Sequence, residues 1–85
     1  MKYVLELTDL GSNGLSAEEV SRITSESPIV VPMVGDQIGF MRVSECYYVV
    51  NREFTYYTDD DDVVCHIQVL CEDEAAHKQR QAAAR

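Results

Sequence analysis

Four carboxylates in succession, Asp59-Asp60-Asp61-Asp62, are the most conspicuous chemical group in this 85-residue chain. Such a run can ligate a hard cation, offer a negative surface to a basic partner, or stand in water at a bend. Calcium loops need oxygens at alternate positions, a glycine at the bend and a distant bidentate carboxylate. The run lacks that spacing and that glycine, so no metal is assigned to it. Cys46, Cys65, Cys71, His66 and His77 are the other groups with ligand or nucleophile chemistry. Structural zinc uses close pairs such as C-x₂-C; here five residues separate Cys65 from Cys71, and five separate Cys71 from His77. Nothing sets Cys46 beside a histidine, and no nucleophile elbow, phosphate loop or metalloprotease motif is present. The expectation is a non-enzymatic protein with no cofactor and no metal.

The charge is unevenly placed. Residues 1–74 hold all 15 acidic groups against four bases, a net of −11, and residues 75–85 add three bases. A body this acidic repels phosphate, so direct nucleic-acid binding is not expected and a protein with a basic surface is the natural partner. If residues 63–71 form one strand, Cys65 and Cys71 lie about 20 Å apart, beyond disulfide reach. Three reduced thiols and a cytoplasmic location are therefore expected. A charge within the first six residues argues against a signal peptide, and no apolar run approaches membrane-spanning length.

These groups must be positioned by a short chain, and its pattern is mostly β. Residues 2–8 alternate, with Tyr3, Leu5 and Leu7 on one side, as a half-buried strand does. Turn residues follow at 9–14. Ser16-Ala17-Glu18-Glu19 then has the form of a capping box, with Leu15 and Val20 as a hydrophobic staple, and predicts a short helix over about 17–25. Pro28 and Pro32 forbid a central strand between them, so that segment is an edge or a crossing. Val34-Gly35-Asp36-Gln37 reads as a turn into a strand at 38–43, in which Gly39 marks a bulge or tight bend.

The clearest element is a hairpin over 46–71. Cys46, Tyr48, Val50, Phe54 and Tyr56 share one face of its first arm, interrupted by Arg52; Val63, Cys65, Ile67, Val69 and Cys71 share one face of the second. Partners across an antiparallel pair share a face, so an even set facing an odd set requires a loop with an even number of residues. Asp59-Asp60 alone or Asp59–Asp62 both fit, provided that no bulge intervenes. The four-residue loop is preferred, because Asp-Asp lacks the glycine of two-residue turns. The aspartates then form a solvated tip. Arg52 lays its stem on the core and reaches the rim, toward Glu45 or Glu6. The opposite face leaves Tyr47, Val49 and Leu70 as an apolar patch for a covering helix or a second copy. Residues 73–85 change to helix formers, with acids first and bases later, and predict a charged helical or frayed tail.

The expected architecture is α+β. A single domain over 1–72 holds a small, strongly bent antiparallel sheet, or a partly open barrel, of four to five strands. One short helix follows the first strand, and 73–85 is a tail.

The patterns Pro32-x-Val34-Gly35-Asp36-x-Ile38, Tyr48-x-Val50-x-Arg52-x-Phe54-x-Tyr56 and Val63-x-Cys65-x-Ile67-x-Val69 resemble short uncharacterised phage and bacterial proteins with small SH3-like barrels. The resemblance covers about residues 32–70 and implies no catalytic residues. It implies a mobile-element origin and hence, if phage-encoded, the host cytoplasm. The function expected is that of a small acidic interaction protein. The sharper form is a phage-type inhibitor of a host nucleic-acid-handling (defence) complex, contacting a basic surface through Asp59, Asp60, Asp61, Asp62, Glu72, Asp73 and Glu74, with Tyr57 as an aromatic anchor. The alternatives are a homo-oligomeric ligand-binding or assembly module joined through Tyr47, Val49 and Leu70, and a small enzyme.

Overall fold

The computed structural model describes residues 1–10, 18–40 and 43–83, with the backbone alone at 18–20, 40 and 43–45. Five strands and one helix follow in chain order: β1 (Lys2–Asp9), β2 (Glu18–Ser25), β3 (Gln37–Phe40), β4 (Val43–Asp59), β5 (Asp62–Asp73) and α1 (Glu74–Ala83). They form one mixed sheet in the order β2-β1-β5-β4-β3. β1 lies parallel to β5, with Leu5 opposite Ile67, and the other three pairings are antiparallel. The α+β class holds, but the wholly antiparallel sheet does not.

The expected barrel and early helix are both corrected. β2 and β3 end the sheet at opposite edges, so it is open. Glu18–Ser25 is a strand paired with β1 from Tyr3 to Asp9; Leu15, Ser16 and Ala17 lie outside the described residues. The predicted helix had only Val20 and Ile23 to bury, too narrow a stripe to hold a short helix against a core. Val20, Ile23 and Thr24 are β-branched, and pairing here satisfies the otherwise open edge of β1.

The open topology dictates the course of residues 26–36. Four inter-strand spacings, about 19 Å, separate β2 from β3. The segment crosses one face of the sheet to join them, and Ile29 and Val31 pack on the core beneath. The two prolines suit this course, because a crossing chain needs no ladder bonds. It ends in a tight turn: the Asp36 amide donates to the Met33 carbonyl at 2.9 Å, and Gly35 takes φ 95°, the left-handed angle such a turn needs at its third residue. Gly35 N–H donates to the Val49 carbonyl, and Val49 N–H donates to that of Asp36, pinning the turn to β4. At Gly39 the β3–β4 register shifts, as expected of a strand glycine.

The covered face holds the core. Leu5, Leu7, Tyr47, Val49, Cys65, Ile67, Val69 and Cys71 are buried together, with Tyr3 and Ile38 against them. The hairpin parity holds from the tip down to Asn51: Asn51 through Asp59 pair with Leu70 through Asp62, so Phe54 faces Ile67 and Tyr56 faces Cys65. A bulge at Val50 then shifts the register, and Val49 pairs with Cys71. Below it the sides exchange. Tyr47 and Val49 turn into the core and Tyr48 turns out, so the former pair is not the exposed patch foreseen for oligomerisation.

The loop is two residues, not four. Asp59 pairs with Asp62, and Asp60 and Asp61 take φ 47° and 64°. Both are left-handed, which is the turn whose twist matches the flanking strands. Aspartate enters this region more easily than most residues, because its short side chain bonds locally. The expected consequence is that Asp61→Gly raises stability by about 0.5–1 kcal/mol, glycine bearing no Cβ strain there. A urea unfolding midpoint that fell instead would rule out the two-residue geometry.

Candidate functional site

The tip half of the hairpin carries the most exposed chemistry. β1 reaches β5 only as far as Lys2 opposite Val64, so among the described residues Thr58–Val63 project beyond the sheet as two strands alone. All four aspartates there are exposed. Asp62 is partly engaged: one oxygen accepts the Val63 amide at 2.9 Å and lies 3.4 Å from the Met1 ammonium. Behind the acids stand three exposed aromatics. Phe54 and Tyr56 lie on the core side at 46% and 63% exposure, and Tyr57 lies on the other at 43%. The crossing segment covers the core but leaves Phe54 and Tyr56 open. The alternation placed both in the interior, since nothing in the pattern says how far a covering segment extends. Arg52 marks its limit. Its Nη1 donates to the Pro32 carbonyl at 3.5 Å and its guanidinium sits 5.5 Å from the Phe54 ring centre. Glu6, one expected partner, is on the opposite face, and the Glu45 side chain is outside the description.

Glu72, Asp73 and Glu74 do not join the tip. They lie at the far end of β5, roughly 33 Å along the strand from Asp62, and the first two serve the chain itself. Glu72 is buried at 7% exposure. Its carboxylate accepts Arg80 Nη2 at 2.7 Å and Nε at 2.9 Å, and lies 2.9 Å from His77 Nδ1. His77 stacks on Tyr48 with ring centres 3.9 Å apart. Asp73 caps α1 by accepting the Ala76 amide at 2.8 Å. Glu74 is exposed and pairs with Lys78 at 3.4 Å. The tail is thus a docked helix, held by one buried carboxylate although none of its own residues is buried. The sequence signal for this was the spacing of His77 and Arg80, three apart on one helix face behind a carboxylate.

A second polar group occupies the face opposite the core. Glu6 Oε2 lies 2.9 Å from His66 Nε2 and 3.3 Å from Arg22 Nη2, with the Tyr57 ring tilted beside His66. The buried thiols Cys65 and Cys71 belong to the other face. Burial, helped by the Asp9 charge, pushes the Cys71 thiol up to about 11, so it stays protonated at neutral pH and is a poor nucleophile. All three cysteines are free. Cys65 and Cys71 are also separated by the sheet from His77. No group of three or more His, Cys, Asp or Glu is arranged to hold a metal ion among the described residues. Leu70, the remaining member of the foreseen apolar patch, is half-buried on the face opposite the core.

The Arg80 guanidinium, with help from His77, holds the Glu72 carboxyl below its usual range against the opposing effect of burial. A depressed folded-state value means that this contribution is complete above the unfolded value of about 4.3 and is lost as pH falls through the lower folded one. Glu72→Gln is expected to undock α1 at a cost of about 1–3 kcal/mol, seen as lost helical circular dichroism and lost protection of the α1 amides. The variant should also lack the acid-dependent helix release of the parent. No protein-family model matches this chain, and neither does any curated protein or solved structure.

Proposed function

We propose that the chain is a non-catalytic interaction protein that grips a basic protein surface with the outer half of its β4–β5 hairpin. The observation that carries this reading is the coincidence of four exposed carboxylates in and beside a two-residue turn with three exposed aromatics directly behind them. Exposed acid alone gives weak, screened attraction. Aromatic side chains beside it add desolvated contact area and can anchor an interface. The long axis of the molecule, 47 Å against 25 and 21 Å, suits a finger that enters a cleft. The net charge of −8 steers such a finger toward lysine- and arginine-lined channels, the type of surface that proteins handling nucleic acid present to phosphate. An inhibitor of such a complex, of the phage type, is the sharper form of the proposal.

The contact set narrows relative to the sequence. Asp59, Asp60, Asp61, Asp62 and Tyr57 remain, Phe54 and Tyr56 join them, and Glu72 and Asp73 leave because the fold already uses them. The test compares the chain with a variant carrying asparagine at all four tip positions, in capture of basic proteins from a host lysate at low and high salt. The parent is expected to capture at low salt and release at high salt, and the variant to retain at least about tenfold less, since several charge contacts are lost together. Equal capture by both would remove the tip from the interface.

A further inference from the structure

We propose that the outer edge of β4, from Arg52 to Thr58, accepts an extended cationic segment of the basic partner as an added strand. β3 pairs with β4 only from Val43 to Tyr48, and the preceding turn bonds Val49. Beyond that point, among the described residues, no strand lies on this side of β4. On its other side every residue from Asn51 to Asp59 is paired with β5. In a two-residue hairpin, Asp59 and Asp62 exchange both backbone bonds. Counting back in alternation, Tyr57, Thr55 and Glu53 point their amides toward β5. Arg52, Phe54, Tyr56 and Thr58 therefore turn their N–H and C=O outward. The Arg52 amide shows this directly, since it donates to the Asn51 side chain at 2.9 Å rather than to β5.

Natural edges are usually guarded by lysine, proline, shortness or a covering element. The β2 edge at Glu18–Ser25 carries Glu18, Glu19 and Arg22. The free stretch of β4 carries five consecutive strand formers, Phe54-Thr55-Tyr56-Tyr57-Thr58, with no proline, lysine or glycine. Strand addition draws affinity from such backbone groups and specificity from alternate side chains. Charge selects the occupant. Glu53, Tyr57 and Asp59 share one side of the edge and the aspartate turn closes its end, whereas Phe54 and Tyr56 line the other side. An incoming strand with basic residues at one parity and apolar residues at the other matches both sides. A second copy brings a body of charge −8 against an identical one. The nature of the occupant rests on the basic-partner reading above; the free edge does not.

The probe is a blocked peptide of about seven residues alternating lysine and valine, the length of the free edge. Two further versions are methylated on the backbone nitrogens of the lysines or of the valines. Strand addition uses one edge of the peptide, so one methylated version is expected to lose at least tenfold in affinity and the other to bind like the parent. Phe54→Pro removes an outward N–H while sparing the β5 ladder, and is expected to weaken the parent peptide by a similar factor with the amide spectrum of β5 retained. Equal binding by both methylated versions would overturn strand addition and leave the basic-partner reading intact. Failure of all three peptides to bind, while lysate capture stays tip-dependent, would also overturn it. A dimer of the chain alone that Phe54→Pro disperses would assign the edge to a second copy, against the proposal.

Discussion

The extra residue at Val50 governs both faces of the sheet. Above it, β4 presents Phe54 and Tyr56 on the core side; below it, Tyr47 and Val49 take that side. Had the ladder run on without the shift, Tyr48 would point into the core and Val49 away from it. Tyr48 instead reaches the face opposite the core, where His77 stacks on it. One inserted residue therefore decides which aromatic fills the interior and which receives the helix. Bulges increase local twist and bend the strand that carries them, which separates a packed lower half of the hairpin from a free upper half.

That separation explains the division of labour among the acids. At the lower end, Glu72 is buried, its charge is balanced by Arg80 and its carboxylate also meets His77 Nδ1. Such a carboxylate orders its surroundings, because leaving it unpaired inside would be costly. At the upper end the aspartates face water, whose high dielectric keeps the repulsion of like charges a few ångströms apart to about 1 kcal/mol. The same side-chain chemistry thus fastens the helix in one place and forms a solvent-facing charge in the other.

Much of this was legible in the residues. The alternation at 2–8 and 63–71, the exclusion of a central strand by Pro28 and Pro32, the turn at Gly35 and the irregularity at Gly39 are consequences of local rules, and local rules are what a sequence displays. The parity of the hairpin was also readable above Asn51. The bulge was not, because Val49-Val50-Asn51 contains no glycine and either valine can be buried. The two-residue turn was hidden because Asp-Asp takes left-handed angles at some cost that the strand pairing overrides. The predicted helix at 17–25 failed for the reverse reason: a good local cap lost to an edge needing a partner 9 to 22 residues away. The docking of α1 depends on a contact between elements, and an acid followed by a histidine and an arginine does not announce which face it will meet.

The pairing of β1 with β5 has a bearing on how the chain acquires its shape. The two strands are neighbours in the middle of the sheet yet stand some 60 positions apart in sequence. As the chain emerges from a ribosome, β1 has only β2 for company, and a lone two-stranded ribbon is marginal in water. Its apolar side waits for the last strand before it is sealed. Closing so large a loop is entropically slow, so the nascent molecule passes through an interval in which Leu5 and Leu7 are open to chaperones and to neighbouring chains.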